Sequence, residues 1–159
     1  MSLILRYFSD REPAHLTEGE IIMTEGHRSD RLFVLAEGAL EVYRGDVSIA
    51  MVTEPGSVFG EMSILLDVDH TANVRAATDA KVHIVDGAKR FIEDNPSFLL
   101  PIAHLLAMRL NNSTAYLVDL KRQFQDYKDH FGMVDEVLES LAHEQEEQFM
   151  PDDELPDDT

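Results

Sequence analysis

The chain has 159 residues, no cysteine and a net charge of −18, which rules out a disulfide framework and a thiolate metal site and points to one domain with an extension. So acidic a surface repels a phosphate backbone, whose capture relies on Lys and Arg displacing counterions, so direct nucleic-acid contact is not expected. The opening MSLILRYFSD is too poor in apolar residues for a signal peptide or a membrane span, and a soluble cytoplasmic protein is expected.

In chain order, a weakly amphipathic segment lies near residues 2–10, and residues 20–86 then read as strands. EIIM, RLFVLA, LEVYR, VSIAMV, HTANVRA and KVHIVD are short runs rich in Val, Ile, Leu, Phe and Tyr, separated by turn residues. Arg44-Gly45-Asp46 predicts a tight hairpin turn, and Glu54-Pro55-Gly56 has the order of a type II turn. Gly26, Gly38, Gly45, Gly56 and Gly60 fall between these runs, where the backbone turns or approaches another group closely. Such even spacing predicts an antiparallel sandwich or jelly roll, and the fold class expected for the whole chain is mainly β with helices, a double-stranded β-helix jelly roll followed by a long C-terminal helix. FGEMS, opened by Gly60, predicts a loop leading into a short helix, whose first N–H groups at Glu61, Met62 and Ser63 suit an anion.

Helix takes over after Asp86, with Pro101 in a first turn or at a kink. Leu106, Leu110, Ser113, Leu117, Leu120, Phe124, Tyr127, Phe131, Val134, Leu138 and Leu141 follow alternating steps of four and three, a heptad seam that predicts a dimeric coiled coil over 106–141. A single amphipathic helix lying on the sandwich is the alternative, because periods of 3.5 and 3.6 separate slowly. Gly132 is the expected break or bend. Residues 135–159 hold eleven Asp or Glu and no Lys or Arg, which leaves about −7 on the remainder. The predicted organisation is a β-roll with short flanking helices over 1–97, a dimerisation helix over 98–145 and a disordered acidic tail over 146–159, a solvated terminus or a site for a protein partner.

With its glycine pattern and FGE motif, the stretch from GEIIMTEG through KVHIVD resembles the cyclic-nucleotide-binding domain family, which includes the bacterial catabolite activator protein and the regulatory subunits of cyclic-nucleotide-dependent kinases; the resemblance extends over about residues 8–125. It implies a phosphate-binding cassette in which Glu61 takes the ribose 2′-hydroxyl and the amides after Gly60 cradle the cyclic phosphate. At the family's phosphate-neutralising arginine this chain has His70, followed by Thr71 and Ala72. A histidine offers one donor nitrogen and a charge mostly absent above pH 6.5 or so, where arginine offers a permanent planar fork. HTAN resembles the RTAN of channel domains that admit adenine and guanine nucleotides. Ser113 and Thr114 align with the adenine-contacting pair of the catabolite activator; Ser113 also reads as a polar seam residue that sets register.

The implied function is a regulatory module that binds cyclic AMP or cyclic GMP and transmits binding to a dimer helix, with no cofactor, no metal and no DNA-binding domain in the acidic residues 135–159. The alternative is a degenerate domain that binds no nucleotide and serves as a dimeric scaffold. Catalysis is not expected: His15, His27, His70, His83, His104, His130 and His143 include no His-x-His pair of the cupin kind, and no catalytic motif is visible.

Overall fold

The computed structural model describes residues 2–125 and 132–149, with the backbone alone at 132 and 143–149. The chain divides into two units, residues 1–105 and 106–159.

The first unit opens with a 3-10 turn, Leu5–Phe8, inside the weakly amphipathic segment near residues 2–10. Eight strands follow: β1 Ala14–Leu16, β2 Ile21–Met23, β3 Arg31–Glu37, β4 Leu40–Arg44, β5 Val47–Val52, β6 Val58–Phe59, β7 Asn73–Ala76 and β8 Ala80–Asp86. They form two four-stranded sheets, ordered β1-β8-β3-β6 and β2-β7-β4-β5, and every pairing is antiparallel. The β4–β5 turn is the two-residue Gly45-Asp46 link, with Gly45 at φ 59°, the conformation such hairpins favour.

Leu16, Met23, Phe33, Leu35, Leu40, Phe59, Val74 and Val82 form the buried core of the roll. On β3 the four residues Leu32–Leu35 are all buried, so both of its faces are covered. The face carrying Val34, which pairs with His83, is roofed by aromatic rings. Phe8 stacks on His83 at 5.1 Å, and Phe98 meets Tyr7, Phe91 and Phe8 edge-on at 5.0, 5.2 and 6.1 Å. This cluster ties the N-terminal 3-10 turn to α2, Ala88–Asp94, and to the 3-10 turn Pro96–Phe98. A six-residue helix, α1 Glu61–Leu66, lies between β6 and β7.

A helix begins at Leu99 with Pro101 in its first turn, as the proline requires, and α3 runs Leu99–Gln123. The helix expected over 98–145, with a break or bend at Gly132, is divided: α3 is followed by a turn at Phe124-Gln125, and α4 spans Gly132–Phe149, starting at that glycine. The Lys121 ammonium pairs with the Asp135 carboxylate. An unbroken helix would hold those residues about 21 Å apart at 1.5 Å per residue, so α3 and α4 are not one continuous helix. Helix continues past the expected boundary at residue 145, because the Glu- and Gln-rich stretch after His143 favours it. Seam residues Leu106, Leu117 and Leu120 are half-buried, and Leu110 is 44% exposed. Tyr127 and Phe131 of the seam, and residues 150–159 of the expected tail, lie outside the described residues. Among the described residues no helix is long and apolar enough to cross a membrane.

Candidate functional site

The connection from β6 to β7 carries most of the sequence-predicted site residues. Gly60 opens it at φ 90°. A Cβ built there would lie 2.6 Å from the Arg31 carbonyl oxygen, so β3 itself demands glycine at this position, apart from any ligand. Glu61 follows in the first turn of α1, 3% exposed, where its acidic group complements the helix dipole. The Ser63 hydroxyl donates to the Gly60 carbonyl at 3.0 Å, and Ser63 is buried, whereas Met62 is exposed. The helix stops at Asp67, which takes the left-handed conformation at φ 54° and donates its N–H to the Ser63 carbonyl.

The second half of the connection is moulded by the β2–β3 loop. The His70 N–H donates to the His27 carbonyl at 2.8 Å, and the Gly26 N–H donates to the His70 carbonyl at 2.9 Å. The His70 ring is 4% exposed; its Nε2 shares a hydrogen bond of 2.9 Å with Ser29 Oγ, and its buried Nδ1 has no protein partner. Burial pushes the His70 pKa down from its ordinary value, with Asp69 opposing and His27 adding to the shift. Arg28 donates to Asp67 and Asp69 from the same loop. Thr71 is exposed, and its carbonyl accepts from Arg44 Nε at 2.8 Å; Ala72 is half-buried.

Asp30 and Arg31 meet both short helices. The Asp30 carbonyl accepts the Ala88 N–H at 3.1 Å and its carboxylate accepts the Lys89 N–H at 2.9 Å, which caps the start of α2. The Arg31 carbonyl lies against Gly60 at the start of α1.

Gly60, Glu61, Met62, Ser63, His70, Thr71 and Ala72 thus share one connection of the first unit. Ser113, exposed, and Thr114, half-buried, stand on α3 within the second unit. Sequence reasoning passed over Ser29, Arg28 and Arg44. The first two sit in a loop with no periodicity, and Arg44 reads as the end of the strand LEVYR and the start of its turn. No group of His, Asp and Glu suited to a metal ion occurs among the described residues.

A family model, the cyclic nucleotide-binding domain, matches residues 13–90. Among curated proteins the chain is 40% identical over 68 residues to a cGMP-dependent protein kinase of Caenorhabditis briggsae, a match covering 43% of this chain and 9% of the kinase. It is 25% identical over 115 residues to the CRP-like cAMP-activated global transcriptional regulator of Mycobacterium tuberculosis, covering 69% of this chain and 51% of the regulator. The chain therefore spans about a tenth of the kinase and half of the regulator. Among solved structures, Sp-2Cl-cAMPS bound to PKAR CBD2 matches at 28% identity and a TM-score of 0.54, covering 69% of this chain and 70% of that one. The Thermus thermophilus catabolite activator protein matches at 25% identity and a TM-score of 0.58, covering 69% and 55%. The strand order, the cassette-like connection and these matches agree, and residues 13–90 of the chain belong to the cyclic nucleotide-binding domain family.

Proposed function

We propose that the chain is a regulatory module that binds cyclic AMP or cyclic GMP at the β6–β7 connection and passes the binding event to its C-terminal helices. The observation that carries this reading is the start of α1: Gly60 at positive φ, followed by a buried Glu61 and a buried Ser63. In this arrangement the N–H groups of Glu61, Met62 and Ser63 receive the cyclic phosphate and the Glu61 carboxylate accepts the ribose hydroxyl. His70, Thr71 and Ala72 close the phosphate side. Ser113 and Thr114 meet the base from α3, in a homodimer formed through residues 106–141, so that ligand occupancy and dimer geometry are coupled. Both nucleotides appear in the names of the relatives, and the chain's negative charge favours a small ligand or a protein partner over direct DNA contact.

For such a module to switch, the ligand must bind one arrangement of α2 and the following helix more tightly than the other. A swing from 1 to 99 per cent needs a difference of about 5.5 kcal/mol. The buried, Ser29-bonded His70 favours the rival reading, a domain that keeps the fold and acts as a dimeric scaffold.

Calorimetric titration of the chain and of His70→Arg with cyclic AMP and cyclic GMP separates the two. Binding by the unmodified chain supports the sensor. Binding by the arginine variant alone means an intact pocket lacking its anchor, and silence from both leaves the scaffold.

A further inference from the structure

An anionic ligand at Gly60–Ser63 meets the field of two nearby acids, Asp67 and Asp69. At about 1.5 Å per helical residue, Asp67 lies about 6 Å along the chain axis from Ser63, the last residue of the anion site, which is less than a Debye length at ordinary salt. One side chain answers both acids. Arg28, from the β2–β3 loop, donates through Nη1 to Asp67 Oδ1 at 3.1 Å, through Nη2 to the Asp67 carbonyl at 3.2 Å and through Nε to Asp69 Oδ1 at 3.0 Å. The guanidinium fork holds these three acceptors at once, which an ammonium on a flexible stem does not do. Asp67 is also the one residue other than glycine at positive φ among the described residues, and Arg28 binds both its carboxylate and its carbonyl. The same loop fixes the next turn of chain through the backbone bonds of Gly26 and His27 to His70.

We propose that Arg28 is a positioning residue for nucleotide binding: without touching the ligand, it neutralises Asp67 and Asp69 and locks the α1–β7 connection in the shape that presents His70 and Thr71. This rests on the cyclic-nucleotide reading above. An exposed ion pair contributes little to folding, so the effect belongs to the anion site and its signature is electrostatic.

The test titrates the full chain, Arg28→Gln, Arg28→Lys, the double variant Asp67→Asn/Asp69→Asn and the triple combination Arg28→Gln/Asp67→Asn/Asp69→Asn with cyclic AMP and cyclic GMP. Measurements are made at about 50 mM and about 500 mM salt, on either side of strong screening. Arg28→Gln is expected to lose about tenfold in affinity at low salt, in the range of a lost charged hydrogen bond. The deficit shrinks at high salt, Arg28→Lys recovers part of it, and the triple variant regains the part of the loss caused by the uncompensated acids, while the part owed to the lost bonds on Asp67 remains. Wild-type affinity in Arg28→Gln, or a triple variant as weak as Arg28→Gln, overturns the proposal. If none of the proteins binds either nucleotide, the cyclic-nucleotide reading fails and hydrogen exchange decides the clamp. Faster exchange at the Val68 and His70 amides in Arg28→Gln, with β8 unchanged, upholds it. No change, or an acceleration that includes β8, overturns it.

Discussion

Ser29 Oγ and His70 Nε2 share a hydrogen bond of 2.9 Å, while the second ring nitrogen of His70 is buried without a protein partner. A ring held this way is neutral at pH 7, because burial lowers its pKa below the ordinary histidine value. If imidazolium is the form that meets a cyclic phosphate, affinity is flat from about pH 8 to pH 7 and rises only below about 6.5. His70→Arg supplies the charge permanently, so it gains about tenfold at neutral pH and loses the pH dependence. Titration calorimetry across this range reads both effects. A gain in affinity already between pH 8 and 7 argues against this account of the ring.

Stability has its own pH dependence. His70 and His83 both have lowered pKa values through burial, with Arg11 adding to the shift at His83 and Glu12 opposing it. The unfolded chain takes up these protons first as pH falls. The fold therefore keeps its full stability above about pH 6.5 and loses it progressively below, as the two rings must be charged or remain buried neutral. Urea midpoints should fall between neutral pH and mild acid, and His83→Gln should flatten the slope. Unchanged midpoints over that interval contradict the assignment.

Gly60→Ala tests whether the site's glycine is demanded by the fold. The new Cβ meets the Arg31 carbonyl at 2.6 Å, and the residue is held at φ 90°. A loss of about 2–4 kcal/mol is expected even with no ligand present, since left-handed backbone alone costs roughly 1–2 kcal/mol. Chemical denaturation without nucleotide measures it. A loss seen only in ligand affinity, with stability intact, assigns the glycine to the ligand instead.

Phe98, fully buried at the centre of the aromatic roof, touches Tyr7, Phe8 and Phe91. Phe98→Ala is expected to cost about 3–5 kcal/mol. It also frees the N-terminal 3-10 turn, so proteolysis near Phe8 should accelerate. A cost under about 1 kcal/mol means that the roof is not cooperative with the roll.

Leu110→Lys and Leu117→Lys probe the proposed dimer seam on α3. Sedimentation should show the unmodified chain as a dimer and the paired variant as a monomer with an intact β-sheet spectrum. A monomeric unmodified chain removes the dimer from the mechanism.

The strands legible in the sequence were those long enough to show a pattern. RLFVLA, LEVYR, VSIAMV and KVHIVD lie within β3, β4, β5 and β8, and Gly45-Asp46 makes the turn expected of it. β1, with three residues, and β6, with two, carry no readable period; β6 exists because Phe33 and Val34 of β3 offer it partners. HTANVRA reads whole as a strand, but β7 begins at Asn73, since His70 is occupied by the β2–β3 loop. Gly60 and Glu61 were legible as the start of a short helix. Ser29, Arg28 and Arg44 were not, because they lie 41, 39 and 27 residues from the groups they hold and no local spacing encodes such contacts. Gly132, expected as the break in the C-terminal helix, is where α4 begins, but the end of α3 at Gln123 carries no glycine or proline to mark it.

Asp30 caps α2 while the carbonyl of Arg31 abuts the start of α1. These two residues are joined by one peptide bond, so both helix starts rest on adjoining rigid planes with few torsions between them. The starts of α1 and α2 therefore bear on one two-residue segment, so that the seating of either helix depends on how Asp30 and Arg31 are placed.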